Sequence, residues 1–173
     1  VSGQRSRRQW GWYPLTDDWA ARIVAESGVR SGEFVVDLGA GHGALTAHLV
    51  AAGARVLAVE LHPGRARHLR SRFAEEDVRV AEADLLAFRW PRRPFRVVAS
   101  PPYHVTSALI RSLLTPESRL LAADLVLQRG VVHKHAKRAP VRHWTLRAGI
   151  TLPRSAFHHP PQVDSSVLVI RRR

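Results

Sequence analysis

Five short apolar runs, Phe34–Leu38, Arg55–Glu60, Val78–Ala81, Phe95–Ala99 and Leu120–Leu127, recur along the chain, each bounded by glycine, proline or charge. Their length and their Val, Ile and Leu content predict β-strands. Ala44–Ala52, Pro63–Phe73, Thr106–Leu114 and Arg129–Lys137 alternate with these runs and carry helix-like patterns. Upstream, Thr16-Asp17-Asp18 before Trp19, Ile23 and Val24 predicts a capped helix start. Trp144–Leu152 and Ser165–Ile170 add two strand candidates, making seven. Alternation of this kind leaves few options, because parallel strands need crossover helices and those helices cover the sheet. An α/β fold is expected, with a seven-stranded, mostly parallel sheet and helices on both faces. We divide the 173 residues into a basic and aromatic N-terminal segment, 1–15, and one domain, 16–173, with no separate C-terminal domain.

Composition excludes several classes. Hydrophobic residues make up 45%, yet no run approaches the roughly 18 apolar residues of a membrane span, so a soluble chain is expected. The chain has no cysteine, which removes disulfides and thiol chemistry. No metal-ligand spacing occurs, and His42 alone makes no metal site. The basic start VSGQRSRRQWGW is followed by no apolar signal core, so a cytoplasmic address is the default. Lys and Arg number 27 against 14 Asp and Glu, a net charge of +13. Such an excess attracts polyanions, RNA or DNA first; an Arg-rich proteome is the bland alternative.

The loop Val35–Gly43, VVDLGAGHG, joins the first strand to a helix. Gly39, Gly41 and Gly43 allow a sharp turn and close approach of a ligand to the helix N-terminus. Asp37 precedes the loop, and Glu60 ends the second strand, where an acid can accept hydrogen bonds from a ribose diol. A dinucleotide enzyme would share both features. A third acid, Asp84, follows the third strand.

The fourth strand ends in Ser100-Pro101-Pro102-Tyr103. Two prolines remove two donors and fix two φ angles, so the strand stops in a stiff turn. This lies at the carboxyl ends of the strands, where open α/β sheets bind ligands. A planar amino group is a poor nucleophile because its lone pair is delocalised. Rigidly held acceptors, the Ser100 Oγ and the Pro101 carbonyl, could draw that pair out while Tyr103 stacks on the base.

Three acids after strands one to three and a proline turn after strand four resemble the Rossmann-like class I S-adenosylmethionine-dependent methyltransferases. That resemblance implies S-adenosyl-L-methionine as cofactor. Asp37, with Gly39, Ala40 and Gly41, would hold the methionine part, Glu60 and Leu61 the ribose, Asp84 and Leu85 the adenine, and Ser100 would border the methyl group. SPPY resembles the (Asn/Asp/Ser)-Pro-Pro-(Tyr/Phe) motif of methyltransferases acting on planar amino groups. Phe157-His158-His159-Pro160-Pro161-Gln162-Val163-Asp164-Ser165 resembles the F-x-P-x-P-x-V-D-S segment of the rRNA adenine N6-methyltransferases. In that likeness Phe157 and Tyr103 would sandwich a flipped adenine, so Ser100, Pro101, Tyr103 and Phe157 form the expected catalytic set.

Within that group the chain resembles the erythromycin-resistance (Erm) methylases, in a short actinobacterial, mycobacterial-type form lacking the small C-terminal helical domain. This implies methylation of an adenine in 23S rRNA and resistance to macrolides, lincosamides and streptogramin B. The substrate would be naked rRNA or an assembling large-subunit particle, and the enzyme a monomer. Two segments differ from the family pattern: Ser100 stands where an asparagine is usual, and Trp12-Tyr13-Pro14-Leu15 where the family has Gln-Asn-Phe-Leu. RNA contacts are expected from Arg5, Arg7, Arg8, Trp10 and Trp12, from Lys134, Lys137, Arg138 and Arg142, and from Arg171–Arg173. The residues alone also allow methylation of DNA adenine, small-subunit rRNA adenine or a protein glutamine, or RNA binding without catalysis.

Overall fold

The computed structural model describes residues 12–138, 141 and 143–173. Its strands are β1 (Phe34–Leu38), β2 (Arg55–Glu60), β3 (Val78–Glu82), β4 (Phe95–Ala99), β5 (Leu120–Gln128), β6 (Trp144–Leu152) and β7 (Ser165–Arg172). They form one sheet in the order β3-β2-β1-β4-β5-β7-β6. Neighbours from β3 to β5 are parallel, whereas β7 runs antiparallel to both β5 and β6. The expected α/β architecture is therefore present. The helices are α1 (Asp17–Ser27), α2 (Ala44–Ala51), α3 (Pro63–Arg72), α4 (Thr106–Leu113) and α5 (Arg129–Ala136).

Alternation along the strands divides the core between two faces. Val35, Val56, Val98, Val126 and Val167 pack with Ala20, Ile23 and Val24 of α1 and Leu45 and Leu49 of α2. Their neighbours Val36, Leu38, Val97 and Ala99 point the other way, onto Leu109, Ile110 and Leu113 of α4 and Val132 of α5. Ala58 meets Leu69 of α3 and Phe73. Each fully buried Leu or Val contributes about 1.5–3 kcal/mol.

Two local devices matter for the site. Helix α3 begins with Pro63 at its first turn, and the His62 Nδ1 accepts from the N–H groups of Gly64 (3.1 Å) and Arg65 (3.4 Å). This side-chain cap fixes Arg65 directly after the end of β2. At the start of the described chain, Leu15 bridges Phe157 in antiparallel pairing. The Thr16 N–H donates to the Ala156 carbonyl (2.9 Å), and the His158 N–H to that of Pro14 (2.9 Å).

Candidate active site

The glycine loop is folded onto the end of β2. The N–H groups of Gly39 and Ala40 both donate to the Val59 carbonyl, at 2.8 and 3.0 Å. Gly39 has φ +72°, and a Cβ there would lie 3.0 Å from Pro102 Cδ and 3.5 Å from Pro101 Cα. A glycine thus allows both the left-handed conformation and direct contact between the loop and the proline turn. The sequence put both segments after strands without giving the strand order; the structure makes β1 and β4 neighbours and packs the loop against the turn.

Glu60 is 4% exposed and ties the loop to α3. Its Oε2 accepts from the Gly41 N–H at 2.8 Å and its Oε1 from the His62 N–H at 2.9 Å. Arg65 Nη1 lies 3.5 Å from the carboxylate. Asp37, on the α2 face of β1, accepts a 2.7 Å hydrogen bond from the Thr46 hydroxyl. Burial pushes its carboxyl up to about 7, against the Thr46 hydrogen bonds and with a further rise from Glu60. Asp84 is exposed beyond β3, and its Oδ1 accepts from the Leu86 N–H at 2.9 Å.

Two cavities meet here. One, of about 220 Å³, is bordered by Glu60, Leu61, Arg65, Asp84 and Leu85, with Pro102, His104 and Val105 opposite. The other is small and bordered by Asp37, Ala40, His42 and Leu45, with Tyr13, Pro14 and Leu15 above. Trp12, Gly39 and Ser100 border both. The combined lining runs from an apolar wall at Leu85, past a buried carboxylate at Glu60, to a second carboxylate at Asp37. S-adenosylmethionine has a flat apolar adenine, a ribose diol and a cationic methionine end in that order, so these residues fit it. Arg65, His104 and Val105 border the first cavity without having been assigned from motifs. Only the place of Arg65, early in the helix after Glu60, carries a local signal.

Two aromatic residues have surroundings that the motifs did not disclose. Trp12, assigned to an RNA-facing surface, borders the cofactor cavities. Its indole packs so closely on Gly41 that a Cβ there would come within 2.6 Å of Nε1. The Arg65 guanidinium covers its ring at 4.3 Å, and His42 meets it edge-on at 4.8 Å. Phe157, assigned to the base sandwich, is 3% exposed and packs in the core with Leu15, Val126 and Ala156. Its side chain points inward because its backbone pairs with Leu15. The ring stacked on Tyr103 is that of Tyr13, at 5.5 Å between centroids and 20° between planes. Tyr103 itself is held by a 2.9 Å hydrogen bond between its hydroxyl and the Ser165 Oγ, and burial raises its phenol above the ordinary range.

The expected RNA-contacting residues divide by position. Arg5, Arg7, Arg8, Trp10 and Arg142 lie outside the described residues. Lys134, Lys137 and Arg138 are exposed. Arg138 lies beside Thr145 and Leu146 at the start of β6, which is the end of the sheet opposite the proline turn. Arg171 is no free tail: it belongs to β7, where it pairs with Asp124 at 3.0 Å and donates to two backbone carbonyls. At the proline-turn end, Arg129, His133 and Arg154 border an open cleft with Gln162 and Val163. Among the described residues no group of acids and histidines could hold a metal ion, and no helix is long and apolar enough to cross a membrane.

Comparison with known proteins agrees with this geometry. The sequence pattern of the family described as ribosomal RNA adenine dimethylase matches residues 4–173. A ribosomal RNA small subunit methyltransferase A of Anaeromyxobacter dehalogenans (strain 2CP-C) is 34% identical over 193 residues, 95% of this chain and 66% of that protein. The mycinamicin-resistance protein MyrB of Micromonospora griseorubida is 35% identical over 150 residues, 80% of this chain and 47% of that protein. The crystal structure of the 23S rRNA methyltransferase ErmE superposes with a TM-score of 0.83 at 28% identity, covering 92% of this chain and 70% of the other. The chain thus spans between about half and two thirds of these two relatives' lengths. The fold is the Rossmann-like class I methyltransferase fold.

Proposed function

The chain belongs to the ribosomal RNA adenine dimethylase family, and we propose that within it the protein methylates N6 of an adenine in 23S rRNA. The cofactor is S-adenosyl-L-methionine, and the expected consequence is macrolide-lincosamide-streptogramin B resistance. The observation that carries the reading is the position of Ser100. It borders both halves of the cofactor cavity and leads directly into Pro101 and the ring of Tyr103. Methyl donor and flipped base would therefore meet at one rigid turn.

When bound, the cofactor supplies an electrophilic sulfonium methyl group. The protein supplies orientation and polarisation. The Ser100 Oγ and the Pro101 carbonyl accept the two N6–H groups, concentrating the nitrogen lone pair toward the donor, while Tyr103 stacks on the ring. No strong base is required, because the proton leaves to water once the nitrogen has become cationic. Glu60 and Asp37 hold the diol and the cationic end. In this reading the enzyme acts as a cytoplasmic monomer on naked rRNA or an assembling large-subunit particle.

The choice of 23S over small-subunit rRNA rests on likeness to the ErmE structure and to a mycinamicin-resistance protein. Identity to the small-subunit methyltransferases favours the second reading, an adenine of 16S rRNA. Labelled S-adenosylmethionine offered with deproteinised, unmethylated 23S and 16S rRNA, followed by mapping of the modified nucleotide, separates them. Label in 23S rRNA at N6 of adenine is the expected result. The same assay is run on unmethylated assembling particles of both subunits: label confined to 16S rRNA moves the activity to the small subunit, and label in neither rRNA, naked or in particles, overturns the assignment.

A further inference from the structure

The cofactor cavity holds a buried guanidinium that the methyl transfer does not use. The side chains of Arg65 and Glu60 are 10% and 5% exposed, and Arg65 Nη1 lies 3.5 Å from the Glu60 Oε1. Desolvating two charges offsets much of what such a pair contributes to stability, so its use lies in what it orders. Resting on the proposed assignment of Glu60 to the ribose, we infer that Arg65 is a cofactor-positioning residue, which locks Glu60 and Trp12 into one wall beside the ribose diol.

Four contacts close into a circuit. The Glu60 Oε2 accepts from the Gly41 N–H at 2.8 Å. Gly41 packs against the Trp12 indole so closely that a Cβ would come within 2.6 Å of Nε1. The Arg65 guanidinium covers the Trp12 ring at 4.3 Å, and its Nη1 faces Glu60 again. Arg65 is itself held by the helix cap, its N–H donating to the His62 Nδ1 at 3.4 Å. A planar guanidinium can meet a carboxylate at its edge and an indole on its face at once, which an ammonium cannot.

Place and chemistry both suit the diol. Trp12, Glu60 and Arg65 border the larger cavity with Leu61, and Trp12 reaches the smaller cavity as well. The circuit thus stands at the junction of the two, where the ribose joins the adenine and methionine parts. Each Glu60 oxygen already accepts one backbone N–H, from Gly41 and from His62. A carboxylate offers about four lone-pair sites, so about two are left for the two hydroxyls. Arg65, at 3.5 Å, supplies the counter-charge from beyond the distance of a tight charged hydrogen bond and leaves those sites open.

The test is calorimetric and uses the full chain with two ligands, S-adenosylhomocysteine and its analogue lacking both ribose hydroxyls. Wild type is expected to prefer the diol-bearing ligand by about thirtyfold or more. Arg65→Ala should bind S-adenosylhomocysteine about tenfold to thirtyfold more weakly and the analogue within about threefold of wild type, so that the preference collapses. Trp12→Ala should cost less in the Arg65→Ala background than in the wild type, because the two side chains act through one circuit. Arg65→Gln, similar in reach but uncharged, should behave as Arg65→Ala does and decides where the alanine variant unfolds. Arg65→Lys, which keeps the charge without the plane, should recover part of the loss. Binding of S-adenosylhomocysteine within about twofold of wild type overturns the inference. Equal losses toward both ligands do so too, since Arg65 then props the cavity as a whole, and so does full additivity with Trp12→Ala. A wild type indifferent to the hydroxyls defeats the assignment of Glu60 itself, a result distinct from a wild type and an Arg65 variant that prefer the diol equally.

Discussion

Asp37 is 1% exposed and its carboxyl is pushed up to about 7 by burial, against 3.8 in the unfolded chain. The folded state therefore holds the proton more tightly, and the stability this contributes is lost as pH rises from about 4 to about 7. Asp37→Asn, which keeps the shape without the charge, is expected to be more stable than wild type at pH 8 and to lose that advantage progressively down to about pH 4; denaturant midpoints at both pH values check this. If the ionised carboxylate holds the cationic end of the cofactor, as proposed, calorimetric affinity for S-adenosylmethionine should rise more steeply through pH 7 in the wild type than in the variant. A second prediction concerns the proline turn. Tyr103→Ala should lower methyl transfer by about a hundredfold or more while cofactor binding survives, whereas Tyr103→Phe, losing only the hydrogen bond to Ser165, should cost far less. Phe157→Ala is expected to act on stability instead, by about 3–5 kcal/mol in thermal or denaturant unfolding. The two aromatics illustrate what single positions disclose. Tyr103 follows a proline turn whose shape is local, so its place was legible, whereas the direction of Phe157 depends on Leu15, more than a hundred positions away.

Elements were the most legible level, because strand and helix periods are local properties of the chain. Among the described residues, the seven strands and five α-helices lie where the apolar patterns put them, with small extensions such as β7 running to Arg172 rather than Ile170. Parallel pairing among β1 to β5 followed from the helices between them, except across β3 to β4, which an irregular segment joins. The antiparallel insertion of β7 between β5 and β6 did not, since strand order there depends on pairing that leaves no local trace. The same holds for the segment carrying Trp12 to Leu15, which has no regular structure and derives its position from distant partners. Its contact with the glycine loop makes that loop more constrained than a phosphate-type turn needs. Gly39→Ala would force a residue at φ +72° within 3.0 Å of Pro102 Cδ, with a cost of about 1–2 kcal/mol from the left-handed conformation alone. Separation of the loop from the proline turn is the expected consequence. Weaker S-adenosylmethionine binding together with a lower unfolding midpoint would show it, and unchanged binding would refute the contact's role.

Across the whole molecule, the net charge of +13 states that a polyanion is attracted without stating where it lies. The fold separates basic residues that composition treats alike. Arg138 lies at the start of β6, away from the proline turn, and Arg171 is committed to Asp124 inside the sheet. Arg129 and Arg154 border the cleft at the proline-turn end, where the Arg154 Nε donates to the Pro161 carbonyl at 2.7 Å. In the proposed reading, an RNA whose adenine reaches Tyr103 lies nearer this cleft than Lys137 or Arg138. Each phosphate contact releases counterions and contributes about 0.7–0.9 to the slope of log K against log salt. Removing Arg129 and Arg154 together should therefore reduce the salt slope of rRNA binding by about 1.5 and weaken binding most at low salt. The paired substitutions Lys137→Ala and Arg138→Ala, at the far end, should lower affinity through the general field with a smaller change in slope. Filter binding across a salt series with all three proteins decides the matter: equal slopes for both pairs would mean that the RNA follows the charge of the whole surface rather than the cleft.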